Sequence, residues 1–307
     1  MKKIPMMALA ALLFLASTYG PRNQTGAQVL KGPYLGQKRP RMKPALFPPA
    51  PLRANEAWFW HGSPCFSPGL DEIYFVKYIK GRNIGEMCRM KKTGDIWGSP
   101  EKVSFAEARA RDNNPFFLDR ETLLFYSTRF GGSICRVKKT GDQWSEPVAL
   151  ILAVPAGKRL GSQFSVTKRG VLYAELWNAD ESDADFYRWQ PVDGQYPSAE
   201  KLRGSVNSSS YDFMPFVDPE EKYLIFCSQR PGGCGKTDLY VSFRNVDGTW
   251  TEAVNMGPLF NTAGEEGFPS ISPDGRYVFF CREGESGFNP YWVDARIIEK
   301  SKPRKLE

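Results

Sequence analysis

One histidine, His61, stands in a chain of 307 residues, and that scarcity removes several chemistries at once. With a single imidazole and no Cys/His pair at ligand spacing, a zinc site is not expected, and neither is any other metal or cofactor. No Gly-x-Ser-x-Gly elbow occurs, and no Ser/His/Asp arrangement surrounds the lone His, so nothing marks a catalytic nucleophile. The stretch Gly232-Gly-Cys-Gly-Lys236 lacks the spacing and the following helix of a phosphate loop. Long helical patterns are also scarce. The best amphipathic window is Val103 to Arg111, and it is about ten residues at most. Apolar runs are short as well: the longest, Ile4 to Ala16, is about a dozen residues, below what a membrane helix needs.

That run follows Met1-Lys2-Lys3 and gives way to small and polar residues, the order of a secretory leader. A signal peptide over 1–20, with cleavage as late as 27, is therefore expected, and with it a periplasmic or secreted protein carrying no stable membrane span. A basic segment over 21–39 then precedes a single domain over 40–298 and a charged tail over 299–307. The net charge of +7 comes from 41 basic and 34 acidic residues, and the leader and tails inflate it. A body of mixed charge gives no reason to expect nucleic acid as a partner.

What the chain has in quantity is turn formers and aromatics: 24 Pro, 28 Gly and 14% Phe, Trp and Tyr, the composition of many short strands. The clearest unit is Glu266 to Phe280. Pro269 to Ser272 reads as a strand, Ser272-Pro-Asp-Gly275 as a tight turn, and Tyr277 to Cys281 as an apolar return strand. A hairpin this short needs neighbours. Copies start at Pro64, Pro115, Gln163, Pro215 and Pro269, a period of about 50, the range of propeller blades. The first four continue into a second hairpin. Cys88 to Trp97 and Cys135 to Trp144 are nearly the same text, and Tyr187 to Tyr196 and Tyr240 to Trp250 are looser versions. Trp97, Trp144, Tyr196 and Trp250 are expected to open the outermost strands and to pack between blades.

The fifth copy ends one strand short, at Pro290 to Ile298. An unfilled place would leave an open sheet edge, and Pro44 to Leu52 is the segment expected to fill it. The fold expected is all-β, a propeller of five four-stranded blades closed by an N-terminal strand, or of six if a degenerate blade lies near 30–60. Cys88 with Cys135, and Cys227 with Cys281, fall at equivalent places in different repeats, too far apart to bond. They read as small buried fillers. Cys227 with Cys234 is the one pair placed to form a disulfide.

The Pro-x-x-Ser-Pro-Asp-Gly unit with its following aromatics, fullest at 269–280 and looser at 64–75, resembles the WD40-like propeller repeats of TolB-type proteins, and the resemblance covers 40–298. It implies a fold and is nearly silent about activity, because such repeats serve in receptors, envelope assemblies and peptidase accessory domains. The position three residues before each copy holds His61, Asp112, Leu160, Asp212 and Glu266. If inner strands begin at the channel mouth, His61, Asp112, Asp212 and Glu266 form a ring there. Arg129 and Arg230, from loops on the same face, would join it and fork onto anionic groups; Lys77 and Arg282 lie in the same loops. The expected function is non-catalytic: a monomeric propeller binding a protein, peptide or envelope glycan at that mouth. The alternative is a five-bladed glycoside hydrolase with Asp112, Asp212 and Glu266 as acid and base, and Trp58, Trp60, Phe213 and Phe268 as sugar platforms.

Overall fold

The computed structural model describes residues 29–303, apart from 54–56, 82–83, 108 and 286. The expected leader, the start of the basic segment and the last four residues of the charged tail lie outside the described residues. Alternation of apolar and polar side chains, broken every few residues by Gly, Pro or Asp-Gly, folds the chain into five small antiparallel sheets, the blades of a five-bladed propeller.

The first blade runs from the channel outward as Trp58–Trp60 with Cys65–Phe66, then Glu72–Ile79, Ile84–Thr93 and Glu101–Lys102. The second is Asp112–Phe117, Thr122–Ser127, Ser133–Thr140 and Val148–Ala149. The third is Lys158–Val166, Leu172–Asn178, Ala184–Trp189 and Ala199–Lys201. The fourth is Asp212–Val217, Tyr223–Ser228, Asp238–Phe243 and Val254–Asn255. In the fifth, Glu266–Ile271, Tyr277–Arg282 and Asn289–Asp294 are completed by Ala45–Leu46, which pairs with Trp292 and Tyr291. The segment expected to close the ring does so, although only two of its residues are strand. Phe47 follows it, fully buried among Phe66, Phe279 and Trp292.

Five apolar clusters fill the seams, each built from two adjoining blades. The seam between the fifth and first blades also takes in Leu30, Tyr34, Leu35 and Leu52. The described part of the N-terminal basic segment is therefore packed, where a flexible end was expected: Tyr34 is edge-on to Phe66 and Tyr277, and its hydroxyl donates to Asp274 at 2.7 Å. Among the described residues of 30–60 no sixth blade forms, because this stretch is spent on the fifth blade, its seam and the first strand of the first blade.

Two expectations on local structure are corrected. None of the described residues of Val103 to Arg111 is helical; Val103 and Phe105 are buried two apart in a turn-rich linker, a spacing that does not repeat along one helix face. Trp97 and Trp144 do not open the outer strands. They belong to two-residue pieces folded back on the third strand, and the fourth strand starts several residues later. Their packing role stands, since Trp97, Tyr196 and Trp250 are buried in the seams and Trp144 is edge-on to Tyr74 of the neighbouring blade. All six cysteines are free. Cys227 is buried and Cys234 exposed, and no disulfide joins them.

Candidate binding site in the central channel

Every inner strand is interrupted at the same level. Register shifts fall between Asn113 and Phe116, Leu160 and Phe164, Phe213 and Phe216, and Gly267 and Ser270, and in the first blade the strand itself is split around Gly62. At four of these places a proline, which has no N–H to give the ladder, occupies the bulge: Pro64, Pro115, Pro215 and Pro269. Asn114, Met214 and Phe268 are left at positive φ (50°, 55° and 56°), a backbone region that side chains other than glycine rarely enter.

The five turns that end the inner strands fix the register of the blades. Ser67, Leu118, Thr167, Asp218 and Ser272 each donate their N–H to the first residue of the return strand or the residue next to it. Four residues before each of them stand Ser63, Asn114, Gln163, Met214 and Phe268, one per blade and all in the channel wall. Gln163 is thus the counterpart of Met214, and Phe164 is the counterpart of the prolines, one residue away from the alignment read in the sequence. The slip arose because the third blade has no proline at its bulge.

Below this ring lies a cavity of about 590 Å³. It runs along the inner strands to the turns, where its exposed rim carries Leu118, Lys168, Glu220, Lys222 and Asp274. Lys168 and Glu220 pair across the rim at 2.6 Å. Away from the rim and its turns the wall bears no charged side chain; His61, the one titratable imidazole, is held neutral because burial and the nearby Arg111 lower its pKa to about 4. The inner wall is proline, phenylalanine, methionine and uncharged polar groups. Ser63 donates to the carbonyl of Phe268 at 2.5 Å, and Asn114 Nδ2 donates to that of Phe164 at 2.9 Å.

Of the residues expected at a mouth, only His61 lines this cavity. Its ring lies 5.2 Å from Phe268, edge to face, and 5.4 Å from Tyr78. Asp112 and Asp212 are 1% and 0% exposed and are consumed inside their own blades. Arg129 Nη2 donates to Asp112 at 2.5 Å and Arg230 Nη2 to Asp212 at 2.7 Å, while each guanidinium also binds the carbonyl of a linker residue, Phe105 or Val206. Each arginine caps an aromatic ring of its blade, Phe125 at 5.6 Å or Phe226 at 5.1 Å. Glu266, also buried, accepts from the backbone and hydroxyl of Thr262 at 2.8 and 2.6 Å. Burial raises the pKa of Asp112 and of Glu266. The recurrence of acids therefore marks a strut tying the linker to the inner strand in the second, fourth and fifth blades, and the ring of ligand-facing carboxylates is withdrawn.

The proposed sugar platforms separate likewise. Trp60 is fully buried and donates to the carbonyl of Leu52; Trp58 is half-buried under Lys77; Phe213 lies 6.4 Å from Trp177; only Phe268 faces the cavity. The sequence reading also missed Glu175, a buried carboxyl on the second strand of the third blade. It accepts the Met214 N–H at 2.5 Å, and burial pushes its pKa up to about 7. Its level in the other blades is held by Val76, Tyr126, Cys227 and Cys281, so no repeat pattern advertised it. Among the described residues no group of three or more His, Cys, Asp or Glu is placed to hold a metal ion, and no helix is long and apolar enough to cross a membrane.

No protein-family model and no curated protein matches the sequence. Solved structures are similar in fold. The endo-arabinase of Bacteroides thetaiotaomicron is 13% identical with a TM-score of 0.51, over 81% of this chain and 97% of that one. A putative TolB from Agrobacterium tumefaciens is 20% identical with a TM-score of 0.47, over 72% of this chain and 69% of that one. TolB from Acinetobacter baumannii is 15% identical with a TM-score of 0.44, over 75% of this chain; the matched part is 53% of that protein's length. At these identities the likeness is one of fold.

Proposed function

We propose that this chain is a non-catalytic binding propeller, exported by its leader, that takes part of a protein, peptide or envelope-glycan partner into the central cavity. The partner enters from the end where the inner strands turn, opposite the mouth expected from the sequence. The observation carrying this reading is the cavity itself: about 590 Å³, apolar and uncharged at depth, with its charges confined to the rim. That size and lining suit a bound ligand. Acid/base work on a glycosidic bond calls for two carboxyls roughly 5 to 9.5 Å apart across the substrate. The three strand-start acids are instead engaged away from the cavity, which supports binding without turnover.

A thermal-shift screen of the purified protein against peptides and neutral oligosaccharides tests this. Ligands that raise the melting temperature of the wild type but not of Ser270→Phe, which fills the cavity, are expected. Shifts unchanged in that variant, or release of product from any ligand of the panel, would overturn the reading.

A further inference from the structure

We infer that the ligand of this cavity is an extended, uncharged peptide segment whose backbone is held by the side-chain amide of Gln163; the inference rests on the channel-binding reading proposed for this cavity. Gln163 is 7% exposed and lines the cavity at the level of the bulges, yet its carboxamide makes no hydrogen bond to any described protein group. The hydroxyl of Ser270, also in the wall, is buried with no partner. An unmet buried polar group costs on the order of 1–3 kcal/mol, so the Ser270 hydroxyl, with the unengaged carboxamide of Gln163 opening on the same cavity, marks a place where an incoming molecule supplies the missing bonds.

The chemistry of the two groups and of their surroundings selects the class. A carboxamide presents an acceptor and two donors side by side, the complement of the N–H and C=O of a peptide unit. Asn114 and Ser63, the other polar members of the ring, already spend donors on Phe164 and Phe268. A neutral sugar brings several hydroxyls per ring, and a wall with so few open partners would strand most of them at roughly 1–3 kcal/mol each. A peptide with apolar side chains brings one N–H and one C=O per residue and sets its side chains against the proline and phenylalanine rings. Charge is refused at depth, because no opposite charge stands there to pair with it, while the mixed rim of Lys168, Glu220, Lys222 and Asp274 accepts flanking residues of either sign.

The test is retention by the purified protein, in equilibrium ultrafiltration read by mass spectrometry. The probes are an equimolar library of acetylated, amidated tetrapeptides of Ala, Leu, Phe and Ser, the same library with Lys or Asp at the second position, and linear arabinotetraose and xylotetraose. Wild type is expected to retain uncharged peptides and to reject the charged ones. Gln163→Leu should retain them about tenfold less, at an unchanged melting temperature, because the amide has no partner within the fold; Gln163→Met serves if Leu does not fold. Ser270→Phe should retain none. Peptide retention untouched in both Gln163 variants overturns the role of the amide, and so does a fall in melting temperature in both. Retention of a tetraose and of no peptide, abolished in Ser270→Phe, overturns the peptide assignment and leaves channel binding standing. Retention of neither class overturns both.

Discussion

The acids that repeat and the side chains that line the channel are different sets. Asp112, Asp212 and Glu266 recur because each ties down the linker of its own blade, and a recurrence of that kind was readable from the sequence while its meaning was not: an acid before a strand looks the same whether it faces a ligand or the linker. Ser63, Asn114, Gln163, Met214 and Phe268 share one place and no chemistry, so no pattern search could single them out. The strut is testable. Arg230→Met leaves Asp212, 0% exposed, without its cation, and should cost roughly 3–5 kcal/mol in chemical denaturation while leaving ligand retention unaltered in the folded protein. Glu175 gives a pH signature. Its carboxyl titrates near 4.5 when the chain is unfolded and at about 7 in the fold, where burial outweighs the Met214 and Gln163 amides and the nearby Arg159. Below pH 4.5 it is protonated in both states. As pH climbs from 4.5 to 7 the unfolded chain releases its proton first, so stability is lost, by about 3 kcal/mol once pH exceeds 7. Glu175→Gln should therefore melt higher than wild type at pH 8 and close to it at pH 4; an equal gap at both would disprove the assignment.

Among the elements, hairpins were the most legible, since Pro-Asp-Gly and Thr-Gly-Asp turns between apolar runs leave little choice of local structure. The missing fourth strand of the last blade was legible by subtraction. Outer strands were placed poorly because they are two or three residues long, too short for any alternation to show. The N-terminal closure owes more to the side chain directly after its two paired residues than to the pairing. Phe47, fully buried against three aromatic rings, should cost roughly 3–5 kcal/mol when replaced by Ala, a loss that equilibrium urea unfolding would register. A cost below about 1 kcal/mol would mean that the seam holds without it.

For the whole molecule, the ring was foreseen and the end of its axis at which the cavity lies was not. The sequence locates where inner strands begin but says nothing about which end of the channel the bulges leave open; that depends on left-handed residues such as Met214, whose φ no local signal announces. Because every apolar cluster is shared by two blades, no blade owns a complete core. Unfolding should accordingly be a single event, with tryptophan fluorescence and far-ultraviolet circular dichroism giving one coincident midpoint in urea. Two separated midpoints would mean that some blades stand alone. The pairing of Ala45 with Trp292 joins positions roughly 250 residues apart, the slowest sort of contact for a polypeptide to find. A growing chain on the ribosome thus keeps Phe47 without its pocket until Phe279 and Trp292 have been made, and a chaperone that shelters it for that interval would be working on a molecule unable to lock itself.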